Sequence, residues 1–268
     1  MSYQRILLDK TGDVATLTPN RPEKHNALDM LLFQEFGRCM EALDEDEDTR
    51  AIVITGAGRS FCSGIDLMSL ADLATYPASL GSARAGLDQP YGPLQVMPDR
   101  LRACRKPTVA AINGFASGMG LSLACLCDQR IASEQATFAP GFVNIGLAGE
   151  LGLTYLLPRI TSLPVALQFL AMGETKDAGW AEGVGLVAQV TPPEAMLESA
   201  LQIAGRLAEM PPLALEMVKR LVYQGLNSDF DSHMQAETFA ASLLVQSEDC
   251  REAMTARLEK RPPVFKGR

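Results

Sequence analysis

The sequence predicts an α/β fold followed by a helical C-terminal region. Short, continuous apolar runs of the kind that form buried parallel strands alternate with segments of helical periodicity, which is the rhythm of α/β units. These runs are residues 50–56 (RAIVITG), 107–114 (PTVAAING) and 128–133 (DQRIAS). After about residue 191, amphipathic helices follow one another, several of them opened by Pro or Asp. We therefore predict an α/β core over residues 1–190 and a helical region over residues 191–268.

The predicted elements can be placed in chain order. The N-terminal segment alternates well enough to predict two short strands joined by a turn at Thr11-Gly12-Asp13. Apolar residues then recur at helical spacing: Leu28, Leu31, Leu32, Phe36, Met40 and Leu43. Another helix is predicted to begin around Gly118. Residues 73–100 mix Gly, Pro and Ser with weak periodicity and predict a loop with short helices.

Composition and charge narrow the class of protein. The chain has 268 residues, 47% apolar and 21% charged, as ordinary globular proteins do. Its net charge of −8 argues against nucleic-acid binding, which needs clustered cations. We find no signal peptide and no apolar run of membrane-spanning length, and we expect a cytoplasmic protein. Six scattered cysteines and only two histidines predict reduced thiols and no metal site.

Two glycine-bearing turns follow apolar strands, GAGRSFCSGIDL (56–67) and NGFASGMGLSLACLCD (113–128). Backbone N–H groups at a helix N-terminus are unpaired, and the helix dipole favours negative charge there. Two such turns facing each other would form a two-donor cradle for an oxyanion. Because glycine turns after parallel strands are common, a purely structural role remains the alternative on spacing alone.

Five motifs occur in the order and spacing of the crotonase family, also called the enoyl-CoA hydratase/isomerase family. They are NRPEKHNALD, GAGRSFCSGIDL, NGFASGMGLSLACLCDQRIAS, ATFAPGFVNIGL and YLLPRI, and the sequence resembles the family along essentially its whole length. The resemblance implies a spiral of β-β-α units and a helical C-terminal trimerisation region, in a homotrimer or a dimer of trimers. It also implies an acyl-CoA thioester substrate, with no metal or redox cofactor and with CoA as part of the substrate.

The resemblance also implies site residues. The oxyanion donors would be the backbone amides of Ser63 and Met119, although Met119 could instead be a core methionine. Residues implied in binding CoA or the acyl group are Arg21, Lys24, Ala27, Ile65, Asp66, Leu67, Gly118, Ser122 and Phe142. Phe265 and Lys266 would reach the CoA of a neighbouring subunit. The alternative for Lys24 is a solvated turn lysine.

The acid–base group is the open question. Typical hydratases of the family carry two glutamates, and the corresponding positions here are Ser122 and Phe142, neither of which can act alone as a base. Glu150, eight residues beyond Phe142, occupies a position where isomerase branches such as the 1,2-epoxyphenylacetyl-CoA isomerases carry an acid. An apolar pocket around Glu150 would raise its pKa toward the range useful for proton transfer. The alternative for Glu150 is a helix N-terminal residue favoured by the dipole.

The sequence thus favours an isomerase that uses one carboxyl group. A 2-enoyl-CoA hydratase and a non-catalytic acyl-CoA-binding protein are the alternatives. Loop residues could also assist catalysis: Asp72, Tyr76, Asp88, Tyr91 and Asp99. His25 and His233 are expected to be surface or satisfied polar residues.

Overall fold

A computed structural model describes residues 2–66, 68–69 and 95–268. The chain opens with two antiparallel strands, β1 (Ile6–Thr11) and β2 (Val14–Pro19), as the alternation predicted. Gly12 in the turn has a φ of +58°, a left-handed conformation that costs glycine little because it has no Cβ atom. The predicted hairpin is confirmed.

The remaining strands are short, and most helices lie between them or after them. The strands are β3 (Ala51–Ile54), β4 (Ser60–Cys62), β5 (Thr108–Ile112), β6 (Phe115–Ser117), β7 (Gln129–Ser133), β8 (Thr137–Ala139), β9 (Lys176–Asp177) and β10 (Gln189–Thr191). The α-helices are α1 (Met30–Glu45), α2 (Val96–Ala103), α3 (Met119–Leu126), α4 (Leu153–Ile160), α5 (Leu163–Met172), α6 (Ala178–Gly183), α7 (Pro193–Ala208), α8 (Pro212–Gly225), α9 (Phe230–Leu244) and α10 (Glu248–Glu259). Two 3₁₀ turns span Pro22–Lys24 and Val143–Ile145.

The strands form two sheets that the chain visits alternately. One sheet has the order β1-β2-β3-β5-β7-β10 and is parallel apart from the β1–β2 pair. The other has the order β4-β6-β8-β9 and is parallel apart from the β8–β9 pair. The successive pairs β3–β4, β5–β6 and β7–β8 each place one strand in each sheet, so the chain advances as a spiral. This confirms the spiral fold that the resemblance implied.

The apolar runs form the strands they predicted. β3 and β5 are buried throughout, and the second half of β7 is buried. Helix α1 begins after Asp29, whose side chain accepts a hydrogen bond from the backbone N–H of Leu32 at 2.8 Å. Leu28, predicted to share the helical face, instead precedes the helix and forms a parallel bridge with Ile65. The bridge places the segment before α1 against the first glycine-bearing turn.

The two faces of the larger sheet bury different kinds of residue. On one face, α1 contributes large side chains, among them Phe33, Phe36 and Met40. On the other face, α7 packs through Met196 and three alanines at four-residue spacing, Ala200, Ala204 and Ala208. Residues four apart lie on one face of a helix, and small side chains let the helix approach the strands closely.

The chain after β10 is helical, as the sequence predicted. α8 contacts the core through a charged contact: the Nζ atom of Lys219 lies 2.8 Å from Asp128, and the Tyr223 hydroxyl donates to the same carboxylate at 2.7 Å. The boundary between residues 190 and 191 stays a prediction. Among the described helices, none combines the length and the apolar character needed to cross a bilayer.

The C-terminal tail is fastened by Asp249, which is 3% exposed. Its carboxylate accepts hydrogen bonds from the backbone N–H groups of Lys266 at 2.7 Å and Gly267 at 2.8 Å. We expect Asp249→Ala to lower the free energy of unfolding by about 2 kcal/mol, because two donors lose their acceptor. Urea unfolding measures the loss, and limited proteolysis by trypsin after Lys260 should accelerate. Glu47→Ala, which removes an exposed carboxylate, is the control; equal midpoints for the two variants would contradict the prediction.

Candidate active site

The two glycine-bearing turns are in direct contact. A Cβ atom built on Gly64, which has a φ of +97°, would lie 2.9 Å from the carbonyl oxygen of Ser117 and 3.3 Å from the amide nitrogen of Met119. A Cβ atom built on Gly120 would collide with the carbonyl oxygen of Cys62. Glycine is therefore required at both positions. The turn after β4 packs against the N-terminus of α3, which is the arrangement that an oxyanion cradle needs.

Met119 is the first residue of α3, and Gly118 is its N-cap, with φ 51° and ψ −122°. The amide of a first helical residue has no partner within the helix, and the Met119 N–H has no acceptor in the part of the chain that the structure describes. The Met119 side chain is 1% exposed and belongs to the core. The residue thus combines a buried side chain with an unpaired amide, and its role as a donor stays a prediction.

The Ser63 amide is not available as the other donor. Its N–H donates to the carbonyl oxygen of His25 at 3.0 Å, so the prediction that placed it in the oxyanion cradle is wrong for this structure. Two residues further on, the Ile65 N–H has no acceptor among the described residues, because the bridge to Leu28 uses the Gly64 carbonyl and the Asp66 amide. Gly64 turns the chain between Ser63 and Ile65 with a positive φ, and the sequence marks this place only by the presence of a glycine.

Glu150 lies in an irregular segment between the 3₁₀ turn Val143–Ile145 and helix α4. Its Oε2 atom is buried and has no hydrogen-bond partner among the described residues. Burial raises the pKa of this carboxyl group above the ordinary value. Glu150 precedes the N-cap Gly152, and a helix dipole would stabilise the charged form and lower its pKa. The buried and unpaired Oε2 atom is what the acid–base interpretation requires, and the role of Glu150 stays a prediction.

Ser122 connects this acid to the oxyanion cradle. The residue is 0% exposed, and its Oγ atom lies 2.9 Å from the Glu150 carbonyl oxygen and 3.2 Å from the Gly118 carbonyl oxygen. The Ser122 hydroxyl contacts the backbone of the acid, and its contact with the substrate stays a prediction. Phe142 is buried, and its Cζ atom would lie 3.9 Å from a Cβ atom built on Gly118. Its role in lining the acyl pocket stays a prediction.

The Arg21 side chain is buried and forms a hydrogen bond and ion pairs within the protein. It is 7% exposed; its guanidinium group donates to the Ala27 carbonyl oxygen at 2.6 Å and lies 2.9 Å from Asp66 and 3.4 Å from Asp29. Two carboxylates lie within ion-pair distance of its guanidinium group, and its contact with the CoA phosphates stays a prediction. The pKa of Asp66 lies below its usual value, first because the Met68 N–H donates to it and next because Arg21 does. Buried Ala27 is held by the same arginine.

We expect Arg21→Ala to destabilise the fold by about 3 kcal/mol, because it leaves Asp66 without its cation in a largely buried site, while Asp29 keeps its ion pair with Arg5. Urea unfolding measures the change. Arg21→Lys is the matched control and should recover part of the stability, since it restores the charge without the planar donor array. If Arg21→Ala left the stability unchanged and weakened CoA binding, the result would contradict this prediction and support the contact between Arg21 and the CoA phosphates.

The other predicted contacts have varied positions. Lys24 ends the 3₁₀ turn Pro22–Lys24, is exposed, and its ammonium group has no ion pair or hydrogen bond within the described ranges, so it is free to contact a phosphate. Ile65 is half-buried. Phe265 is half-buried in the C-terminal tail, where its carbonyl oxygen accepts from Arg50 at 2.7 Å, and the Lys266 side chain is exposed. The contact of this tail with a neighbouring subunit stays a prediction.

Several predicted residues lie outside the described part of the chain: Leu67, Asp72, Tyr76, Asp88 and Tyr91. Asp99 is described; it lies in α2, is exposed and accepts a hydrogen bond from Gln95 at 3.3 Å. Both histidines have polar partners: His25 Nδ1 lies 2.9 Å from Ser60 Oγ, and His233 Nε2 lies 3.5 Å from Glu237.

Comparison with known proteins agrees with this fold. A model of the enoyl-CoA hydratase/isomerase family matches residues 9–268. A crotonyl-CoA hydratase of Syntrophomonas wolfei is 35% identical over 99% of this chain and 99% of its own. A 1,2-epoxyphenylacetyl-CoA isomerase of Escherichia coli is 34% identical over 98% of each chain. The crystal structure of an enoyl-CoA hydratase from Bacillus anthracis matches with a TM-score of 0.90 at 29% identity, covering 99% of this chain and 100% of that one.

An α/β spiral in which two glycine-bearing turns meet defines the class of protein, an enzyme of the crotonase fold. The chain belongs to the enoyl-CoA hydratase/isomerase family.

Proposed function

We propose that this protein is an isomerase of acyl-CoA thioesters that moves a proton within the acyl chain by means of Glu150. The observation that carries the proposal is the buried, unpaired Oε2 atom of this residue on a segment joined through Ser122 to the turn that holds the Met119 amide. A carboxyl group with a raised pKa is suited to exchanging protons near neutral pH.

The proposed reaction is a 1,3-proton shift. The Glu150 carboxylate removes a proton from the carbon next to the thioester carbonyl, and the electron pair moves onto the carbonyl oxygen. The amides of Ile65 and Met119 hold the resulting enolate oxygen. The carboxyl group then returns the proton two carbons away, which shifts the double bond and regenerates the carboxylate. No water is consumed. The shuttle needs no metal or redox cofactor, and CoA takes part only as part of the substrate.

Hydration is the second candidate, because several relatives are named hydratases, the crotonyl-CoA hydratase of S. wolfei among them. Family hydratases are expected to hold their water between two glutamates. Here Ser122 and Phe142 occupy those positions, and both are buried. The absence of both glutamates favours the shuttle, and a relative of comparable identity is named an isomerase, which supports the proposal.

Incubation with 2-enoyl- and 3-enoyl-CoA thioesters in deuterated water, followed by mass spectrometry, tests the proposal. We expect a shifted double bond, deuterium gained at carbon and no added water. A product heavier by one water would reject the isomerase in favour of the hydratase. Thioesters that bind but remain unchanged, with Glu150→Gln binding them equally well, would favour the non-catalytic acyl-CoA-binding protein.

We also propose that the protein assembles as a homotrimer or a dimer of trimers through its C-terminal helices. Large apolar side chains are exposed on α8 and α9 and just before the latter: Val218, Val222, Leu226, Phe230, Met234, Phe239 and Leu243. Exposed apolar surface of this extent is typical of protein interfaces.

We expect a trimer or hexamer mass by light scattering and a smaller species for Phe239→Lys. Thr238→Lys adds the same charge at a neighbouring position and controls for it; a wild-type monomer would contradict the proposal.

A further inference from the structure

Among the described residues, one side-chain hydrogen bond joins the segment that carries Glu150 to a distant part of the chain, and Leu147 and Leu151 of the segment pack against the core. Residues 147–152 form backbone hydrogen bonds with their neighbours in residues 142–156. Among the described residues, a single hydrogen bond to this stretch comes from elsewhere in the chain. Its donor is the Ser122 hydroxyl, whose Oγ atom lies 2.9 Å from the Glu150 carbonyl oxygen. Ser122 belongs to α3, the helix that begins with Met119.

This segment needs an external hold. Leu151 has a φ of +53°, and a left-handed conformation costs a residue with a Cβ atom about 1–2 kcal/mol. Such a conformation persists only where the surroundings impose it. Gly149 and Gly152 flank it with φ values of +157° and +80°, so alternative conformations are readily reached on both sides. The Ser122 hydrogen bond falls in the middle of this pliable stretch.

The Ser122 hydroxyl holds the backbone and leaves the carboxyl group alone. A hydroxyl has one hydrogen to donate, and the Glu150 carbonyl, at 2.9 Å, is nearer than the Gly118 carbonyl, at 3.2 Å. A hydrogen bond to the carboxylate itself would have stabilised its charge and lowered its pKa. Instead Oε2 remains buried without a partner. The arrangement fixes where the acid stands and preserves its affinity for a proton.

We infer that Ser122 is a positioning residue, which fixes the Glu150 backbone on the helix that carries the Met119 amide and so holds the carboxyl group with its Oε2 atom buried. The inference deepens the proposed function and rests on it for its catalytic consequence. Its structural part, that the hydroxyl controls the surroundings of the Glu150 carboxyl group, does not depend on the substrate.

The first test is a pH titration of the Glu150 carboxyl group, monitored by NMR. The protein is labelled with ¹³C in its glutamate carboxyl groups, and the Glu150 signal is identified by its loss in Glu150→Gln. We expect Ser122→Ala to lower the Glu150 pKa toward the ordinary glutamate value, because the released segment lets water reach the carboxyl group. Ser122→Thr keeps the hydroxyl and should keep the raised pKa. Ser133→Ala, which removes another buried serine hydroxyl, should leave it unchanged. An unchanged pKa in Ser122→Ala would overturn the inference.

The second test is kinetic. Ser122→Ala should lower kcat by about 10- to 100-fold with little change in KM, since small displacements of a catalytic group have effects of this order. In the Glu150→Gln background, Ser122→Ala should have no further effect, because Ser122 acts through Glu150. An equal loss in both backgrounds would mean a general structural role. If Glu150→Gln alone retains full turnover, the proposed function fails, while the titration still decides the positioning role.

Discussion

Replacing Glu150 with Gln should lower kcat by about 10²- to 10⁴-fold, the usual contribution of a positioned acid–base group. The substitution preserves the shape of the side chain and removes only its ability to exchange a proton. Affinity for the acyl-CoA should change little, because CoA binding is expected to involve other residues. Steady-state kinetics and calorimetric binding with the same thioester measure the two quantities. Glu134→Gln makes the same change at an exposed position and should behave as the wild type.

The Glu150→Gln protein should also be more stable than the wild type at neutral pH. Burial raises the pKa of Glu150 in the folded protein, so this group contributes its full stability below the unfolded-state pKa and loses it as pH rises through the folded-state pKa. A neutral glutamine has no such loss. The gain should vanish as the pH falls below the ordinary glutamate range, which thermal unfolding at several pH values can follow. A loss of activity joined to a gain in stability excludes unfolding as its cause.

Wild-type turnover should fall on the acid side as Glu150 becomes protonated, at a pH above that of an ordinary glutamate. A loss of turnover of only about two-fold in Glu150→Gln would be far smaller than the loss expected for an acid–base group. Such a result would mean that another residue transfers the proton. The first residues to examine would then be the acids predicted in the loop, Asp72 and Asp88, which lie outside the described residues.

Met119→Pro should lower kcat/KM by about 10²- to 10³-fold relative to Met119→Ala, because it removes one oxyanion donor. Proline has no N–H, and it is tolerated at the first position of a helix, which Met119 occupies in α3. Both variants lose the buried methionine side chain, so their comparison isolates the amide. Each is expected to be less stable than the wild type by about 2–5 kcal/mol, as for other large-to-small core substitutions.

The comparison between these variants requires that both fold, which circular dichroism and the oligomer mass can establish. Equal kcat/KM values for Met119→Pro and Met119→Ala would show that the Met119 amide does not hold the oxyanion. The expected loss would fall mainly on kcat, since an enolate oxygen carries more negative charge than the ground-state carbonyl and gains more from the donor.

The α/β class and several elements could be predicted from local patterns, whereas the spiral arrangement was implied by the resemblance to the family. Apolar runs such as Ala51–Ile54 and Thr108–Ile112 must be buried on both faces, and alternation around Gly12 predicted the first hairpin. Strands β4, β6 and β8 have three residues each, too few to show a period, and they were accessible only through the family motifs. The apolar spacing also placed Leu28 in the first helix. In the structure Leu28 precedes α1 and forms a bridge with Ile65.

The sequence by itself determined the family, the absence of the two hydratase glutamates and the candidacy of Glu150, because residue identities at spaced positions are written in the chain. Only the tertiary structure decided that the Ser63 amide is occupied while Ile65 is unpaired, that Arg21 serves two carboxylates, and that Ser122 holds the acid's backbone. The physical reason is that the direction of an amide and the partner of a buried side chain depend on φ values and on residues distant in the chain. Neither the direction of an amide nor the partner of a buried side chain can be read from a local sequence pattern.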